Sequence, residues 1–476
     1  MTAWLQSGIQ ILGVLSSVAW FGFAWLSARE REWRAARRAL VIAVLSGQSL
    51  ILLAQLPPPG VHIIAALMAG GAVLVAAALL LPAAAVLEPE GEIRVRVDER
   101  DMVFARHDLQ PGSPAYEAYY HLHPEKQAGD DHTRALPGLL SPASRRADAL
   151  AFAAARGSFF LTEAVKDAVD GPLAPEQHKL PAEVYSRYVK QLVRHSGAHA
   201  VGICRLEPYP VYSHAGRGTD PIGEPLPVKH RFAIAFTVGM DYAMMASAPD
   251  APVVMESARQ YVEAARIAVQ LAAFCRGLGY PARAHIDANY QVIAPLVARD
   301  AGLGAIGRMG LLMTPRLGPR VRIGVVTTDL PLLPDPKMDD GWMMDFCRLC
   351  EKCAENCPSR AIPSGPRLRF DGALRWKLDA ERCFAYWNIE GTDCGICMKV
   401  CPFSHPDQWV HNAVRWLIRR APRSRRVVLA MDDFFYGRRP ASRPAPAWTQ
   451  VDELEAGNRS GPSIDHAGRR GRTAAP

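Results

Sequence analysis

Long apolar runs fill the first 87 residues of the chain. No Asp, Glu, Lys or Arg occurs in residues 1–28 or 39–87. Runs of this length can cross the hydrocarbon core of a bilayer. They predict three transmembrane helices, at about residues 4–27, 39–56 and 61–87. A secretory signal peptide followed by buried helices is the alternative, but no positively charged segment precedes the first run. We therefore expect residues 1–88 to form a three-helix membrane anchor.

The loop between the first two predicted spans is strongly basic. Five arginines and two glutamates lie in it: Arg29, Arg31, Arg34, Arg37 and Arg38, with Glu30 and Glu32. An excess of arginine is typical of cytoplasmic loops, and three spans return the chain to the same side. We therefore expect a multi-pass protein of the cytoplasmic (inner) membrane with its catalytic domain on the cytoplasmic side. The Arg37-Arg38 pair lies between two spans, so it does not form a twin-arginine export signal.

A polar arm and an α/β pattern follow the anchor. Residues 89–179 are rich in Asp, His and Pro, which suits a connecting N-terminal arm. In residues 180–335, apolar strand-like runs alternate with helical stretches such as residues 257–278. The strand-like runs are residues 200–203, 232–238 and 321–327. This alternation predicts an α/β domain over residues 180–335.

The rest of the chain divides into three segments. Residues 336–410 contain most of the cysteines, and residues 411–437 form a C-terminal segment that we expect to complete the core. Residues 438–476 are rich in Pro, Arg and Gly, which predicts a disordered tail.

The net charge of +8 could suggest nucleic-acid binding, but no basic stripe interleaved with aromatic residues is present. A membrane-facing protein explains the charge better, and we expect no nucleic-acid partner.

The cysteines indicate metal ligation rather than disulfide bonding. Eight of the ten cysteines fall within residues 347–401, at short intervals. The first four have the spacing C-x2-C-x2-C-x3-C-P of bacterial ferredoxins, and the second four repeat its C-x2-C-x3-C-P end after a longer first interval. This spacing predicts two 4Fe-4S clusters. Cys204 and Cys275 lie outside the pattern and are expected to be small buried hydrophobic residues.

In two-cluster ferredoxins the fourth cysteine of each set binds the other cluster. The rule assigns to the first cluster Cys347, Cys350, Cys353 and Cys401. It assigns to the second cluster Cys357, Cys383, Cys394 and Cys397. Structural zinc is the alternative, but zinc sites do not require the repeated x2, x3-Pro ending.

The second cysteine set resembles the closing iron–sulfur motif of reductive dehalogenases. It reads CFAYW at residues 383–387 and GTDCGICMKVCPFS at residues 391–404. The resemblance extends over residues 180–437 through further segments, at residues 197–202, 211–213, 240–242, 301–304, 307–308, 315–322 and 432–437. It implies a base-off corrinoid of the cobalamin type, bound in a nitroreductase-like α/β domain beside a two-cluster ferredoxin-like domain. A cobalt-ligating D-x-H-x-x-G motif is absent, as in that family.

The resemblance also implies the reaction. Members of the family remove halide from an organohalide, here a haloaromatic or a haloalkene, with a Co(I) corrinoid that receives electrons from the clusters. A tyrosine delivers the proton, next to an arginine and a third polar residue. The matching positions here are Tyr261, Arg322 and Asn289. The loop before Asn289 is about two residues longer than the resemblance leads us to expect, so Asp287 and Tyr290 compete for the third role. We expect Arg322 to lower the pKa of Tyr261 below its ordinary value of about 10.

Other functions have to be weighed against this one. Without the resemblance, Tyr261 is a half-buried core aromatic residue on an amphipathic helix. An epoxyqueuosine-reductase-like cobalamin enzyme would use an aspartate near Asp287 as its acid. A membrane ferredoxin-type electron-transfer subunit would not need the α/β domain. The sequence leaves the electron donor open among a ferredoxin, a flavoprotein and a quinol-linked donor.

Overall fold

The computed structural model describes residues 2–80, 91, 95–287 and 289–450, which form seventeen α-helices and eight β-strands. The helices are α1 (Thr2–Arg29), α2 (Trp33–Leu53), α3 (Pro58–Leu80), α4 (Val103–Asp108), α5 (Pro114–Leu122), α6 (Pro124–Arg134), α7 (Ala149–Ala164), α8 (Ala182–His195), α9 (Tyr242–Ala246), α10 (Pro252–Gly277), α11 (Ala294–Asp300), α12 (Gly341–Cys350), α13 (Lys352–Glu355), α14 (Ala380–Glu390), α15 (Ile396–Lys399), α16 (Trp409–Arg420) and α17 (Ser424–Phe435). The strands are β1 (Ala200–Arg205), β2 (Phe232–Gly239), β3 (Ala282–His285), β4 (Ala305–Ile306), β5 (Leu312–Met313), β6 (Val321–Thr328), β7 (Leu368–Phe370) and β8 (Ala373–Arg375).

The lengths of the apolar stretches in the N-terminal helices differ from the prediction of three spans. Helices α1 and α2 pack as an antiparallel hairpin, and both are long and apolar enough to cross a membrane. In α3 the corresponding apolar stretch is the sixteen-residue segment Pro59–Leu74. At 1.5 Å per residue it spans roughly 24 Å, less than the roughly 30 Å of a hydrocarbon core. Two described helices, not three, therefore meet the requirement, and residues 81–87 of the third predicted span lie outside the described part.

A four-stranded sheet forms the centre of the predicted α/β domain. Its strand order is β1-β2-β6-β3, and every neighbouring pair is antiparallel. The predicted strand runs coincide with β1, β2 and β6, and the predicted helix coincides with α10. Side chains alternate between the two faces, so that Ile234 packs under α10 while Ala235 packs under α11. Both faces are covered, which explains why the strands read as nearly continuous apolar runs.

The arm connects the sheet to the cysteine-rich segment. Helix α7 packs along α10, with Phe152 in their shared core. The backbone N–H groups of Arg145 and Arg146 donate to the carbonyl oxygens of Ile389 and Glu390, at 3.0 Å each. The guanidinium groups of both arginines also pair with the fully buried carboxylate of Glu390. The arm therefore contacts both α10 and α14.

The C-terminal helices complete two cores. Ile418 of α16 and Val428 of α17 are buried in the same cluster as the cysteines of α12 and α13. Phe435, at the end of α17, packs between Trp20 and Phe23 of α1, with ring centroids 5.8 and 5.2 Å apart. Residues 411–437 thus join the cysteine-rich segment to the N-terminal hairpin.

Candidate active site

Short helices and left-handed turns bring the cysteines together. Cys347 and Cys350 lie on α12, and Cys353 lies on α13. Glu351, between the two helices, has a φ of +54° and reverses the chain there. Cys394 has a φ of +59° just before α15, which carries Cys397. Non-glycine residues in the left-handed region are uncommon and strained, and such strain is concentrated at functional sites.

The first group of thiols surrounds one cavity. Four cysteines line it together with apolar residues such as Phe346 and Phe403: Cys347, Cys350, Cys353 and Cys401. Burial raises the pKa of Cys401 well above its ordinary value, and the nearby Cys347, Cys350 and Cys353 raise it further. Burial also raises the pKa of Cys347 to about 11. Four thiols crowded in an apolar cavity would become thiolates only with a positive centre between them, as a cluster provides.

The second group of thiols shows the same pattern of raised pKa values. Burial raises the pKa of Cys397 well above its ordinary value, and the charges of Cys394, Cys383, Cys353 and Cys357 raise it further. The pKa values of Cys383 and Cys394 are likewise raised by burial and by Cys357. Cys357 thus lies near Cys383, Cys394 and Cys397, and Cys353 also influences Cys397, so the crossing assignment stays a prediction.

The spacing of the thiols suits clusters better than single ions. Within the described residues, no three His, Cys, Asp or Glu side chains converge closely enough to hold one metal ion. A zinc ion needs its ligand sulfurs about 2.3 Å from a single centre, whereas a cubane holds its four thiolates farther apart. Two groups of four thiols without a single-ion site among the described residues would therefore suit 4Fe-4S clusters better than zinc.

A tyrosine and an arginine meet beside the second thiol group. The guanidinium carbon of Arg322, on β6, lies 4.8 Å from the ring centroid of Tyr261, on α10. Nη2 of Arg322 donates to Oγ of Ser257 at 2.6 Å and to Oδ2 of Asp393 at 2.9 Å. The hydroxyl of Ser257 also donates to Asp393. Because Asp393 immediately precedes Cys394, the Tyr261–Arg322 pair is linked to a cysteine of the second group.

The electrostatics correct the expected pKa of Tyr261. Burial raises the pKa of this phenol above its ordinary value, and Asp287 and Asp393 add to the rise. Arg322 lowers the pKa, as the sequence predicted, but burial outweighs it. The predicted net lowering is therefore wrong. The phenol stays protonated at neutral pH, as a proton donor must.

The three candidates for the third role occupy different surroundings. Asn289 is buried, and its Oδ1 accepts from Arg283 at 2.7 Å while its Nδ2 donates to the Lys166 carbonyl oxygen at 2.9 Å. These bonds direct its side chain to the arm rather than to Tyr261. The pKa of Tyr290 is raised by burial, then by Asp287 and Tyr261, and is lowered by Arg322. Tyr290 and Asp287 are thus among the charged or ionisable groups that interact with the Tyr261–Arg322 pair.

Two buried polar atoms at this site have no hydrogen-bond partner in the described part of the chain. They are Nε of Arg322 and Oδ1 of Asp393. Buried polar atoms are nearly always paired, so unpaired ones suggest a bound polar ligand or water. Sequence reasoning missed Asp393 and Ser257, although Asp393 lies inside the quoted GTDC segment.

Another network lies beside the first thiol group. Nζ of Lys352, between Cys350 and Cys353, lies 2.5 Å from the Asp432 carboxylate, which His405 contacts at 3.1 Å. The His405 ring stacks on His411 at 4.8 Å, and Nε2 of His411 lies 3.1 Å from Glu30 in the loop between α1 and α2. In the same loop, Glu32 accepts from the Tyr242 hydroxyl at 2.5 Å and pairs with Arg443. The N-terminal hairpin therefore contacts the region next to the first thiol group.

Comparisons with known proteins identify an iron–sulfur domain in the cysteine-rich segment. The model of the 4Fe-4S dicluster domain family matches residues 346–405. The chain is 34% identical, over 287 residues, to the tetrachloroethene reductive dehalogenase of Sulfurospirillum multivorans. That alignment covers 53% of this chain and 56% of the relative. The chain thus spans about half the length of the curated relatives that it matches.

A solved structure extends the similarity to the fold. It is the catabolic reductive dehalogenase NpRdhA in complex with 3-bromo-4-hydroxybenzoic acid, which is 29% identical, with a TM-score of 0.61. The match covers 74% of this chain and 48% of that protein. A shorter similarity, 30% over 138 residues, links the chain to the epoxyqueuosine reductase of Pseudomonas aeruginosa, covering 26% of this chain and 34% of that protein. In its sequence, its fold and its cysteine-rich domain, the chain is therefore similar to the reductive dehalogenases.

Proposed function

We propose that the protein is an iron–sulfur oxidoreductase that catalyses reductive dehalogenation of an organohalide. In this reaction the carbon–halogen bond breaks, two electrons and one proton are consumed, and a carbon–hydrogen bond and a halide ion are formed. The observation that carries the proposal is the half-buried Tyr261–Arg322 pair, linked through Asp393 to Cys394 of the second thiol group. The pair unites a proton donor with an electron-transfer site.

Two 4Fe-4S clusters would be held by the two groups of thiols described above. The first would have Cys347, Cys350, Cys353 and Cys401 as ligands, and the second Cys357, Cys383, Cys394 and Cys397. A base-off corrinoid, when bound, would supply a strongly reduced cobalt to cleave the carbon–halogen bond. The unpaired polar atoms of Arg322 and Asp393 are available to a polar group bound there.

The protein's own residues would manage the proton. Tyr261 keeps its proton at neutral pH and would donate it from the phenolic oxygen to the carbon that loses the halide. Arg322, held by Ser257 and Asp393, would stabilise the phenolate that remains. In the third role we prefer Tyr290 or Asp287 on the basis of their interactions with Tyr261. Asn289 would support the site indirectly, through its bond to Arg283.

The substrate class is a haloaromatic or haloalkene compound. The relatives named above act on tetrachloroethene or bind a bromohydroxybenzoic acid, so both classes occur among similar proteins. A half-buried tyrosine ring, with Phe159 at 6.3 Å, offers an aromatic wall to either. The substrate within this class is left to a screen of halogenated compounds.

We propose that the N-terminal helices anchor the protein in the cytoplasmic membrane. Glu30 and Glu32 contact His411 and Arg443, so the loop between α1 and α2 and the cysteine-rich part would share one side of the membrane. Helix α2 leads away from that side, and Val61 of α3 packs there against Ile9 and Ala54. The arginines of the loop assign this side to the cytoplasm. The electron donor would then be a ferredoxin, a flavoprotein or a quinol-linked donor.

Metal analysis and turnover of the purified full-length protein test the proposal together. Two clusters and one corrinoid predict about eight irons and one cobalt per chain. A strong one-electron reductant should then drive halide release from a haloalkene or haloaromatic compound. Zinc in place of iron, or iron without cobalt and without halide release, would contradict the proposal. A reporter fused after Glu88 tests the topology separately, because it should function only in the cytoplasm.

The second candidate is an epoxyqueuosine-reductase-like activity. The observation that favours it is Asp287, which interacts with Tyr261 and Arg322 and could serve as the acid. The variants Asp287→Asn and Tyr261→Phe separate the two functions. Halide release that is lost with Tyr261→Phe supports the dehalogenase. Epoxyqueuosine reduction by a parent protein that releases no halide, lost with Asp287→Asn and kept with Tyr261→Phe, supports the alternative.

A further inference from the structure

The last two described helices expose apolar side chains on one face each. On α16, Trp409, Ala413, Trp416 and Arg420 follow the i, i+4, i+7, i+11 spacing of a single face, and all four are exposed. The tryptophans are 80% and 58% exposed. On α17, a matching exposed stripe consists of Val427, Ala430, Met431 and Phe434. We call the two stripes together the α16–α17 face. Large apolar surfaces of this kind mark binding sites for proteins or membranes.

The α16–α17 face carries unpaired positive charge. Four arginines lie on or beside it, around the turn between the helices: Arg419, Arg420, Arg423 and Arg426. All four are exposed, and none forms an ion pair with another described residue. The acidic residues of α17 are engaged elsewhere, because Asp432 and Asp433 pair with Lys352. The face therefore combines aromatic and aliphatic side chains with an excess of arginine, as membrane-surface helices do.

The position of α17 relative to the N-terminal hairpin also indicates contact with a membrane surface. Phe435 packs against Trp20 and Phe23, six to nine residues before the end of α1 at Arg29. At 1.5 Å per residue this is roughly 9–14 Å from that end. The Phe434 ring also lies 4.4 Å below the guanidinium of Arg38 on α2. If α1 and α2 cross the membrane, the end of α17 lies at the depth of the lipid headgroups.

A cavity lies at the turn between α16 and α17. Arg419 and Arg420 line it together with Trp342, whose side chain is 7% exposed. The indole N–H of Trp342 has no hydrogen-bond partner in the described chain. The carboxylate of Asp339, which also lines the cavity, accepts from the Gly341 N–H at 3.4 Å. Two guanidinium groups and an unused N–H donor can donate hydrogen bonds to phosphate oxygens.

We propose that the α16–α17 face lies on the surface of a bilayer that contains acidic phospholipids. Trp409, Trp416 and Met431 enter the interface, and the arginines at the turn bind headgroup phosphates. The contact fixes the cysteine-rich domain against the membrane that α1 and α2 cross. It rests on the proposed membrane anchor, and it adds a second, peripheral attachment to that anchor.

Photocrosslinking of the full-length holoenzyme in its own membrane tests this contact. p-Benzoylphenylalanine replaces Trp416 or Met431, and phospholipids are labelled with radioactive phosphate. Leu15 of α1, which is 57% exposed, serves as the position that reports the anchor itself. Leu122 of the arm, which is 68% exposed, serves as the matched soluble position. We expect phospholipid adducts from the probes at Leu15, Trp416 and Met431, and none from the probe at Leu122.

The outcomes separate the contact from the anchor. Adducts at Leu15 without adducts at Trp416 and Met431 would overturn the contact and leave the anchor intact. No adduct at any position would overturn both. Crosslinks at Trp416 to a second copy of the chain would overturn the lipid assignment in favour of an oligomer interface.

A charge variant tests the preference for acidic lipids. The holoenzyme with Arg419→Gln, Arg420→Gln, Arg423→Gln and Arg426→Gln should lose about fivefold or more of the adduct at Trp416, because each arginine near an anionic surface contributes roughly this factor. The control with Arg187→Gln and Arg194→Gln on α8 should label as the parent does. Equal labelling of both variants would overturn the role of the arginines.

Discussion

Two buried networks of charged side chains flank the cysteine-rich domain, and they lead in different directions. At the first thiol group, Lys352 pairs with Asp432, which continues through His405 and His411 to Glu30 in the loop of the N-terminal hairpin. At the second thiol group, Asp393 pairs with Arg322, whose guanidinium lies over the ring of Tyr261. Both networks place a carboxylate and a cation next to a thiol group.

The difference lies in the groups at their far ends. The first network ends on helices that can cross a membrane, so it suits attachment and the entry of electrons. The second ends on a protonated phenol and on two polar atoms without partners, so it suits chemistry on a bound molecule. Similar ion pairs therefore serve different purposes according to what lies beyond them. Disrupting each network in turn should separate these purposes.

We expect the largest effect from replacing a cluster cysteine that belongs to neither network. Cys401→Ser removes a ligand of the first cluster, so we expect iron to fall by about half and turnover to disappear. Cys204→Ser is the matched control, because burial raises the pKa of this thiol to about 12 and keeps it protonated. Iron analysis and halide release measure both variants. Full iron content in the Cys401 variant would contradict the assignment.

Breaking the second network at its end should be the next largest effect. Tyr261→Phe removes only the hydroxyl, and general acid catalysis contributes roughly a hundred- to ten-thousand-fold. We expect a loss of turnover on that scale with both clusters retained. Tyr188→Phe, an exposed tyrosine of α8, is the control.

The raised pKa of Tyr261 adds a pH dependence to this prediction. The donor is the protonated phenol, which persists up to at least its ordinary pKa of about 10. Ionisation of Tyr261 should therefore cause no loss of turnover between pH 7 and 9. A decline in that range that disappears in Tyr261→Phe would indicate a lowered pKa instead.

A smaller effect is expected from the residue that holds Arg322. Ser257→Ala leaves the Arg322–Asp393 pair but removes the hydroxyl that bonds to both. A hydrogen bond of this kind contributes about 0.5–1.5 kcal/mol, so turnover should fall roughly three- to tenfold. Iron content and KM should stay unchanged, and Ser257→Thr should restore part of the rate. A variant that loses iron instead would mean that Ser257 supports the second cluster.

The two regions also differ in how far their sequences predict them. Cluster ligands lie at short, fixed intervals, so their spacing alone indicates the chemistry. Tyr261 and Arg322 are sixty-one positions apart on α10 and β6, and only the resemblance to a family linked them. Asn289 was chosen from its position in the loop. Its side chain bonds to Arg283 and Lys166, and periodicity carries no information on such contacts.

Other differences between the sequence predictions and the structure have similar causes. Strand runs were predicted because apolar residues recur along them, but the same pattern fits parallel and antiparallel neighbours, and this sheet is antiparallel throughout. The sign of the Tyr261 shift depends on burial, which is a property of the packed structure. The count of apolar residues overstated the third span, whose described apolar stretch is short.

The smallest expected effect concerns the first network and its pH dependence. Burial lowers the pKa of His411, and His405 and Arg415 lower it further, while Glu30 acts in the opposite direction. The folded protein then binds fewer protons than the unfolded chain as the pH falls towards and below about 6.5, the ordinary value for histidine. Stability is therefore complete above this pH and declines below it, by at most about 1.4 kcal/mol per pH unit.

His411→Gln should remove this dependence. We expect the unfolding temperature of the wild-type protein in lipid nanodiscs to fall between pH 7.5 and 5.5 more than that of the variant. Limited proteolysis of the loop between α1 and α2 should increase over the same range in the wild type, because protonation disturbs the stacked pair of His405 and His411. The variant His195→Gln, at the exposed end of α8, is the control and should behave as the wild type does. If His411→Gln keeps the full pH dependence, another group controls how the hairpin docks on the cysteine-rich domain.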